Sequence, residues 1–203
     1  MLAKLRIVAI GSSSIQKPLA QPDGASSERP TIRPDTDFAT RLLIIGNSGS
    51  GKTTLAAGVA ARTGQAHRDL DEIHWLADGR VRDRQEALDA VAAAAAEPRW
   101  IIEGVYGWLA AAALPRATGL LWLELPWPEC RASLVGRGPK PGMGDAAHAA
   151  LIDWASAYDS RPTSTSAAGH RAMFESFGGA RMRLQSRHAV AALLARSPGW
   201  PLG

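Results

Sequence analysis

From residue 41 onward, short apolar runs alternate along the chain with longer stretches in which apolar residues recur at helical spacing. The short runs have the length of β-strands, and several are too continuously apolar to leave one face in water. They predict five strands, at residues 41–45, within 67–75, and at 100–104, 119–126 and 181–185. The second strand ends in an acidic cluster, and the first and third end on glycine.

The longer stretches predict helices, and glycine, proline and capping residues mark the ends of most of them. Asp83 followed by Glu86, for example, resembles a capping box ahead of an alanine-rich helix. The predicted helices lie at residues 52–63, 84–97, 105–113, 128–135, about 145–158, 171–177 and 188–196. Strands that alternate with helices predict an α/β protein whose parallel sheet is covered on both faces.

The first 38 residues differ from the rest because they show no helical or strand periodicity. They are polar and broken by prolines, as in Pro22-Asp23-Gly24 and Pro30 to Pro34. Such composition predicts a disordered N-terminal extension, or a start codon assigned too far upstream. Leu5 to Ile10 is the one stretch that fits a short strand. We therefore expect a single domain over residues 39–203.

The strand at 41–45 runs into a glycine-rich loop that fits the pattern G-x-x-x-x-G-K-[ST], the phosphate-binding P-loop. Its glycines permit positive φ, so that backbone N–H groups close around an anion at the start of a helix. Lys52 would reach the β- and γ-phosphates, and the Thr53 hydroxyl would bind Mg²⁺. The loop consists of Gly46, Asn47, Ser48, Gly49, Ser50, Gly51, Lys52, Thr53 and Thr54. The flanking strand and helix favour this interpretation over a chance glycine-rich turn.

Composition places the chain in a broad class. With 203 residues, 46% of them hydrophobic, it can bury the core of one α/β domain. No apolar run approaches the roughly 18 residues of a membrane span, and the apolar core of residues 1–10 is too short for a secretory signal. Cys130 is the single cysteine, which rules out an internal disulfide and a cysteine-based zinc site. We expect a reduced, cytoplasmic location.

The net charge of +4 comes mainly from arginine, because only 4 of the 23 basic residues are lysine. Arginine binds phosphate in a bidentate manner, so the excess is compatible with a protein that closes on a polyphosphate. The excess is small and lacks interleaved aromatic residues, which makes a nucleic-acid partner unlikely. An ordinary solvated surface is the alternative.

Acidic residues follow the predicted strands at the edge where parallel sheets bind ligands. Asp69 and Asp71 close strand two, Glu103 closes strand three, and Glu124 lies near the end of strand four. A carboxylate beside the P-loop strand is suited to holding Mg²⁺ directly or through water. The pattern favours a functional role for Asp71 and Glu103 over a solvated strand end. It does not favour one for Glu124.

Several aromatic residues lie near these acids in the sequence. His74 follows Asp71 by three positions, and is either structural or a group that contacts an acceptor. Trp75, Trp108 and Trp154 are core residues or walls of a pocket.

Four segments together resemble the small adenylate-kinase-like P-loop proteins and, more narrowly, those labelled DNA topology modulation proteins. Two later segments, Leu151 to Tyr158 and Leu184 to Arg187, are similar to the same group, so the resemblance covers about residues 41–196. The four segments are Gly46–Thr54, Leu70–Trp75, Trp100–Tyr106 and Leu121–Pro126.

The resemblance implies a three-layer fold of the nucleoside and nucleotide kinase type, with a five-stranded parallel sheet and a small helical lid at about 137–170. It also implies ATP with Mg²⁺. Asp71 matches the position that faces the phosphoryl acceptor, and Glu103 matches a strand-end carboxylate that is usually aspartate. Arg131 and Arg137 lie where lid arginines are expected, and 139–144 is a candidate mobile loop.

These observations predict an ATP-dependent kinase that phosphorylates a nucleoside, a nucleotide or a small metabolite. The catalytic residues would be Lys52, Asp71, Glu103, Arg131 and Arg137, and Thr53 and Glu103 would serve the metal. A nucleotide-binding regulator and a slow ATPase are the alternatives, since both need the same P-loop. The sequence leaves the acceptor and the oligomeric state open.

Overall fold

Residues 40–195 of the computed structural model are described; the predicted N-terminal extension and the short strand at residues 5–10 lie outside them. The described chain forms one five-stranded sheet with the strand order β2-β3-β1-β4-β5, and its pairs are all parallel. The strands are β1 (Arg41–Gly46), β2 (Ala66–Asp69), β3 (Trp100–Gly104), β4 (Gly119–Leu123) and β5 (Ala180–Leu184).

Eight α-helices connect and follow these strands within residues 40–195. They are α1 (Lys52–Thr63), α2 (Leu70–His74), α3 (Arg84–Ala96), α4 (Gly107–Ala113), α5 (Trp127–Arg137), α6 (Asp145–Ser156), α7 (Ala167–Ser176) and α8 (Arg187–Ala195). One turn of 3₁₀ helix, Leu114–Arg116, extends α4. None of the helices in this range is both long and apolar enough to cross a membrane.

Alternate residues of β1 pack into two different cores. Leu43 and Ile45 contribute to a cluster with residues of α3, α4 and α7, whereas Leu42 and Ile44 face a cluster with α1, α5 and α8. A strand buried on both faces must be apolar at every position, which is what the sequence of β1 shows. The predicted five-stranded parallel sheet with helices on both faces is therefore confirmed.

The register of the sheet brings four strand ends to one edge. Ile44 of β1 pairs with Glu103 of β3, which in turn pairs with Asp69 at the end of β2. On the other side Gly46 pairs with Leu123, the last residue of β4. The P-loop and the strand-end carboxylates consequently lie at the same edge.

The prediction that Asp71 closes strand two is wrong, because β2 ends at Asp69 and a short helix begins at Leu70. The carboxylate of Asp69 accepts a hydrogen bond from the backbone N–H of Asp71 at 2.8 Å, which caps the helix and stops the strand. Asp71 therefore lies in the first turn of α2.

Other element ends also differ from prediction. Helix α4 starts two residues later than predicted, at Gly107, and α7 starts at Ala167 because the hydroxyl of Ser166 caps it through Gly169 N–H at 3.1 Å. Helix α5 continues to Arg137, and Gly138 ends it with a φ of 70°. Strand β4 ends before Glu124. A side-chain cap therefore sets the start of α7, and a glycine with positive φ sets the end of α5.

A buried polar chain links β4, through the segment before α7, to α7 itself and to the residue that follows β3. The indole of Trp122 donates to the Tyr158 hydroxyl at 3.3 Å, and that hydroxyl lies 2.7 Å from Nδ1 of His170. Nε2 of His170 lies 3.0 Å from the carbonyl oxygen of Val105. Because a carbonyl only accepts, the neutral ring carries its proton on Nε2, and Nδ1 accepts from Tyr158.

Two glycines allow the loop that contains Ser164 to pack closely against its neighbours. A Cβ on Gly107 would lie 1.9 Å from the carbonyl oxygen of Ser164, and one on Gly169 would lie 2.4 Å from the same oxygen. The backbone of Ser164 therefore sits between two positions that only glycine can fill. Together with Tyr158 and His170, it holds this segment against the sheet.

Replacing His170 with glutamine should change how stability depends on pH. Burial, with repulsion from Lys52, lowers the pKa of His170 to about 3, against about 6.5 in an unfolded chain. Below pH 6.5 the unfolded state therefore binds a proton that the folded state does not bind. By pH 5 this lowers the unfolding free energy of the wild type by about 2 kcal/mol.

The variant loses the buried hydrogen bonds but also this proton uptake. Its deficit in unfolding free energy should therefore shrink by about 2 kcal/mol between pH 7.5 and pH 5, as measured by urea denaturation. Comparing the two proteins is necessary because the raised pKa of Asp69 acts in the opposite direction over the same window. A deficit that stays constant with pH would contradict the neutral state of His170.

Candidate functional site

The P-loop leaves β1 at Gly46 and enters α1 at Lys52. Gly51 has a φ of 96° and Gly49 a φ of 78°, conformations that side-chain-bearing residues rarely adopt. A Cβ on Gly49 would also lie 2.3 Å from the carbonyl oxygen of Cys130 in α5. Glycine at position 49 is thus required twice, by the backbone turn and by the close approach of α5.

Lys52 is a buried cation, only 7% exposed. Its ammonium donates to the carbonyl oxygen of Asn47 at 2.9 Å, which folds the side chain back over the loop. It makes no ion pair with the described residues. A buried ammonium that has no acid partner favours an anion at this position.

Glu103 lies beside the loop and is 1% exposed. One of its carboxylate oxygens, Oε1, accepts from the Thr53 hydroxyl at 2.7 Å and lies 3.6 Å from Nε2 of His67. Burial alone would raise the pKa of Glu103, but the interactions with His67 and the charge of Lys52 outweigh it and lower that pKa. The carboxylate is therefore ionised, and the same interaction raises the pKa of His67.

Two aspartates follow β2 in different environments. Burial and the charges of Glu103 and Asp71 raise the pKa of Asp69 to about 7. Its carboxylate is already used as the cap of α2. The Asp71 side chain, by contrast, is 39% exposed and lies 3.3 Å from the ammonium of Lys140. Of the two acids, Asp71 is the one that a ligand can reach.

Lys140 belongs to residues 138–144, the loop between α5 and α6. Through its contact with Asp71, this loop is linked to α2. The predicted lid arginines make no such contact: both Arg131 and Arg137 are exposed, without a hydrogen bond or ion pair to residues 40–195. Arg137 follows Cys130 by seven positions, two helical turns, so it shares the face of α5 that meets the P-loop. Arg131 is rotated away by about 100°.

Aromatic side chains form a cluster next to Asp71. The ring of His74 lies 4.0 Å from that of Tyr106 and 6.0 Å from that of Trp108. The indole of Trp75 donates to the Tyr106 hydroxyl at 2.9 Å, and Tyr106 lies 6.2 Å from Trp154. The three tryptophans considered as pocket walls are thus brought together around Tyr106, which sequence reasoning did not single out.

Arg187 is a second residue that sequence reasoning missed. Its guanidinium donates to the carbonyl oxygens of Ser50 at 3.1 Å and Gly49 at 2.7 Å, both in the P-loop. It also donates to the carbonyl oxygen of Glu129 in α5 at 3.2 Å. No local motif marks this arginine, because its partners, which also include the Ser133 hydroxyl and the Glu129 carboxylate, lie more than 50 positions away in the sequence.

Glu124, which the sequence pattern did not favour, lies apart from this cluster. Its carboxylate is 3.2 Å from Arg171 and 3.3 Å from Arg183, and it accepts from Gln185 at 2.8 Å. Three partners account for its charge, so it serves as a link between β4, β5 and α7.

Fold and loop together define an α/β protein with a P-loop at the ligand-binding edge of its sheet. No protein-family model matches the sequence, and no curated protein matches it. These comparisons do not show the narrower resemblance to the DNA topology modulation proteins.

Solved structures with a similar fold include three small-molecule kinases. A sugar kinase from Janibacter sp. HTCC2649 is 19% identical over 78% of this chain and 88% of its own, with a TM-score of 0.44. A gluconokinase from Sinorhizobium meliloti 1021 is 15% identical over 77% and 88%, with a TM-score of 0.46. A shikimate kinase from Acinetobacter baumannii is 12% identical over 77% and 89%, with a TM-score of 0.49. Likeness of this degree does not identify a substrate, so the function has to be inferred from the site.

Proposed function

We propose that this protein is an ATP-dependent kinase that transfers the γ-phosphoryl group to a small-molecule acceptor. The observation that carries the proposal is the position of Asp71, an accessible carboxylate that a lid residue contacts at the P-loop edge. A simple ATPase needs no such group, whereas a kinase needs a carboxylate to orient its acceptor. The buried, unpaired Lys52 supports a polyphosphate as the donor.

The residues present fit ATP and Mg²⁺. Gly49 and Gly51 shape the loop, and Lys52 supplies a cation without a competing acid. Thr53 and Glu103 offer a hydroxyl and an ionised carboxylate 2.7 Å apart, a donor set of hard oxygens that suits Mg²⁺. Mg²⁺, when bound, neutralises charge on the phosphates.

Phosphoryl transfer depends mainly on positioning and charge. Backbone N–H groups of residues 47–53 and the ammonium of Lys52 would hold the triphosphate. Thr53 would release Glu103 to bind the metal, and Glu103 would order the metal's water ligands. Asp71 would orient the acceptor hydroxyl and accept its proton.

The lid would complete the site. Closure of residues 138–144 can bring Lys140 over the transferring phosphoryl group, and Arg137, at the end of α5 on the face that meets the P-loop, would add a second cation. Closure would also exclude water, which otherwise competes with the acceptor. Lys140 would exchange its contact with Asp71 for one with the phosphoryl group, leaving Asp71 to the acceptor.

ATP turnover against a panel of nucleosides, nucleotides, small polyols and small acids tests this proposal. ADP release that depends on one acceptor, with formation of the phosphorylated acceptor, is the expected result. ADP release at the same rate without any acceptor would identify an ATPase. Tight ATP binding with no turnover under any condition would instead favour a nucleotide-dependent regulator.

Removing the Arg187 side chain should weaken ATP binding without unfolding the protein. Its guanidinium donates to two P-loop carbonyl oxygens and would hold them pointing away from the phosphates. The loop would then keep the conformation in which its N–H groups face the phosphates. In Arg187→Ala the Kd for a non-hydrolysable ATP analogue should rise about tenfold, equivalent to about 1.4 kcal/mol. Arg187→Lys should recover part of this loss.

Isothermal titration calorimetry with Mg²⁺ present measures the effect. Arg183→Ala is the matched control, since Arg183 pairs with Glu124 away from the P-loop and its removal should leave the Kd unchanged. An unaltered Kd in Arg187→Ala would show that the P-loop keeps its shape without this side chain.

A further inference from the structure

We propose that the acceptor is an anion, and that Arg161 binds its carboxylate or phosphate group. This inference rests on the proposed kinase function, because it names the class of acceptor for the same site. It also assigns a binding role to a residue that neither the P-loop nor the strand-end acids explain.

Arg161 is held in place without a counter-ion. Its guanidinium lies 3.9 Å from the centroid of the Trp154 ring and donates to the carbonyl oxygens of Trp154 and Thr165. The residue is half-buried, yet it makes no ion pair with any residue between 40 and 195. These contacts fix the orientation of the group but leave its charge unneutralised.

Two sets of contacts place Arg161 at the active edge. On one side, the residue after Trp154 is Ala155, whose carbonyl oxygen accepts from the side-chain amide of Asn47 in the P-loop at 3.0 Å. On the other side, Trp154 lies 6.2 Å from Tyr106, whose ring contacts His74 of α2. Arg161 is therefore connected both to the P-loop and to the helix that carries Asp71.

The Tyr106 hydroxyl is close enough to both charges to be influenced by them. Burial raises the pKa of Tyr106, the negative charge of Asp71 adds to this, and the positive charge of Arg161 opposes it. Together with the stacking of Arg161 on Trp154 and the contact between the Trp154 and Tyr106 rings, this supports one space that both charges face. Tyr106 and Trp154 form its aromatic wall.

An anionic ligand would neutralise the charge of Arg161, which the described residues leave without an ion pair. Burial lowers the pKa of Arg161, which shows that its charge is costly where it lies. A guanidinium has five N–H donors, and those not used by the two carbonyls can bind a carboxylate or phosphate. Arg68 pairs with Glu97, whereas Arg82 and Arg181 donate to backbone carbonyls and have no acid partner among the described residues. What distinguishes Arg161 is therefore its link to both the P-loop and α2. Arg84 also stacks on an aromatic ring, that of Trp108, but it is exposed, where water screens its charge.

The two ends of the acceptor can be assigned from charge. An anionic group would be repelled by Asp69 and Asp71, and is attracted by Arg161. The hydroxyl to be phosphorylated then lies at Asp71, and the flat or apolar part of the molecule lies against Tyr106 and Trp154. Neutral sugars and nucleosides would leave Arg161 unpaired and should bind poorly.

Matched pairs of acidic and neutral compounds test the inference. Gluconate with sorbitol probes a carboxylate, and cytidine 5′-monophosphate with cytidine probes a phosphate. Binding is measured by calorimetry with Mg²⁺ and a non-hydrolysable ATP analogue present, and turnover is measured with ATP. The acidic member of at least one pair should bind at least tenfold more tightly than its neutral partner, and the preferred pair identifies the anion.

Arg161→Gln should abolish this preference while leaving the Kd of the ATP analogue within twofold. Arg161→Lys keeps the charge and should retain part of the preference. Arg116→Gln, which changes an exposed arginine at the opposite edge of the sheet, is the control and should behave as wild type. If Arg161→Gln fails to fold, the wild-type preference between acid and neutral partner still decides whether the acceptor is an anion. A weakened preference in Arg161→Lys then supports the assignment to Arg161, and an unchanged one overturns it.

The outcomes separate this inference from the kinase proposal. Phosphorylation of a neutral acceptor in preference to its acidic partner would overturn the anion site and leave the kinase standing. Preference for an acid without turnover would support the anion site and count against the kinase. A preference for the acid that survives in Arg161→Gln would overturn the assignment to Arg161, which would then be only a clamp for its loop.

Discussion

Replacing Lys52 with alanine should reduce acceptor-dependent turnover by about 2–4 kcal/mol of transition-state stabilisation, roughly 30- to 1,000-fold. Lys52 is the one cation buried inside the P-loop, and its ammonium contacts only the carbonyl oxygen of Asn47 within the described chain. Backbone N–H groups can bind the phosphates without it, but they cannot supply a full positive charge to the transferring group.

Steady-state kinetics measure this loss, and a thermal melt establishes that the variant is folded. The fold should persist, because Lys52 makes one side-chain hydrogen bond and no ion pair with the described residues, and Glu103 keeps its contacts with Thr53 and His67. Arg116→Ala, at the opposite edge of the sheet, controls for loss of a positive charge. A folded Lys52→Ala protein with wild-type ATP affinity and turnover would remove the basis for a P-loop function.

Replacing Asp71 with asparagine should lower acceptor-dependent turnover by about 100-fold or more, the scale expected for a positioned acid–base group. The substitution keeps the size of the side chain and removes its charge. The affinity for ATP with Mg²⁺ should change little, because Thr53 and Glu103 lie at the P-loop, whereas Asp71 contacts Lys140 in the loop between α5 and α6.

Measuring acceptor turnover and ATP·Mg²⁺ affinity on the same variant distinguishes two roles. A loss of turnover alone places Asp71 at the acceptor, whereas a loss of ATP·Mg²⁺ affinity would place it at the metal. Asp89→Asn, an exposed acid on α3, is the matched control and should leave both values unchanged. Unchanged turnover in Asp71→Asn would mean that the acceptor binds elsewhere.

The sheet could be predicted from the sequence because its central strands are buried on both faces. In β1, β3 and β4 every residue is buried except Arg41, and Glu103 is the one charged residue among the buried ones, so nearly continuous apolar runs identify them. Helix starts were harder to predict, since Asp69 and Ser166 act through side-chain hydrogen bonds rather than through periodicity. The misassigned position of Asp71 follows from the first of these caps.

The P-loop could be predicted because its chemistry lies within nine consecutive residues, whereas the rest of the site is assembled from distant ones. Arg187 reaches Gly49 across 138 positions, and Lys140 reaches Asp71 across 69. Residues so far apart in the sequence form no motif of fixed spacing that could predict their contact. Arg131 and Arg137 were selected by position in the chain, and the structure leaves their contribution to be tested.

The packing of Ser164 between Gly107 and Gly169 would limit how the proposed lid can move. Tyr158 is tied to Trp122 and His170, so the chain is anchored just beyond α6, as it is anchored by α5 before Gly138. A segment that is anchored at both ends cannot open by rotation about a single hinge. It would have to bend between its two anchors. The distance over which the segment can move then depends on α6, whose 12 residues span about 18 Å. Lengthening or shortening that helix should therefore alter the rate of closure without altering the two anchors.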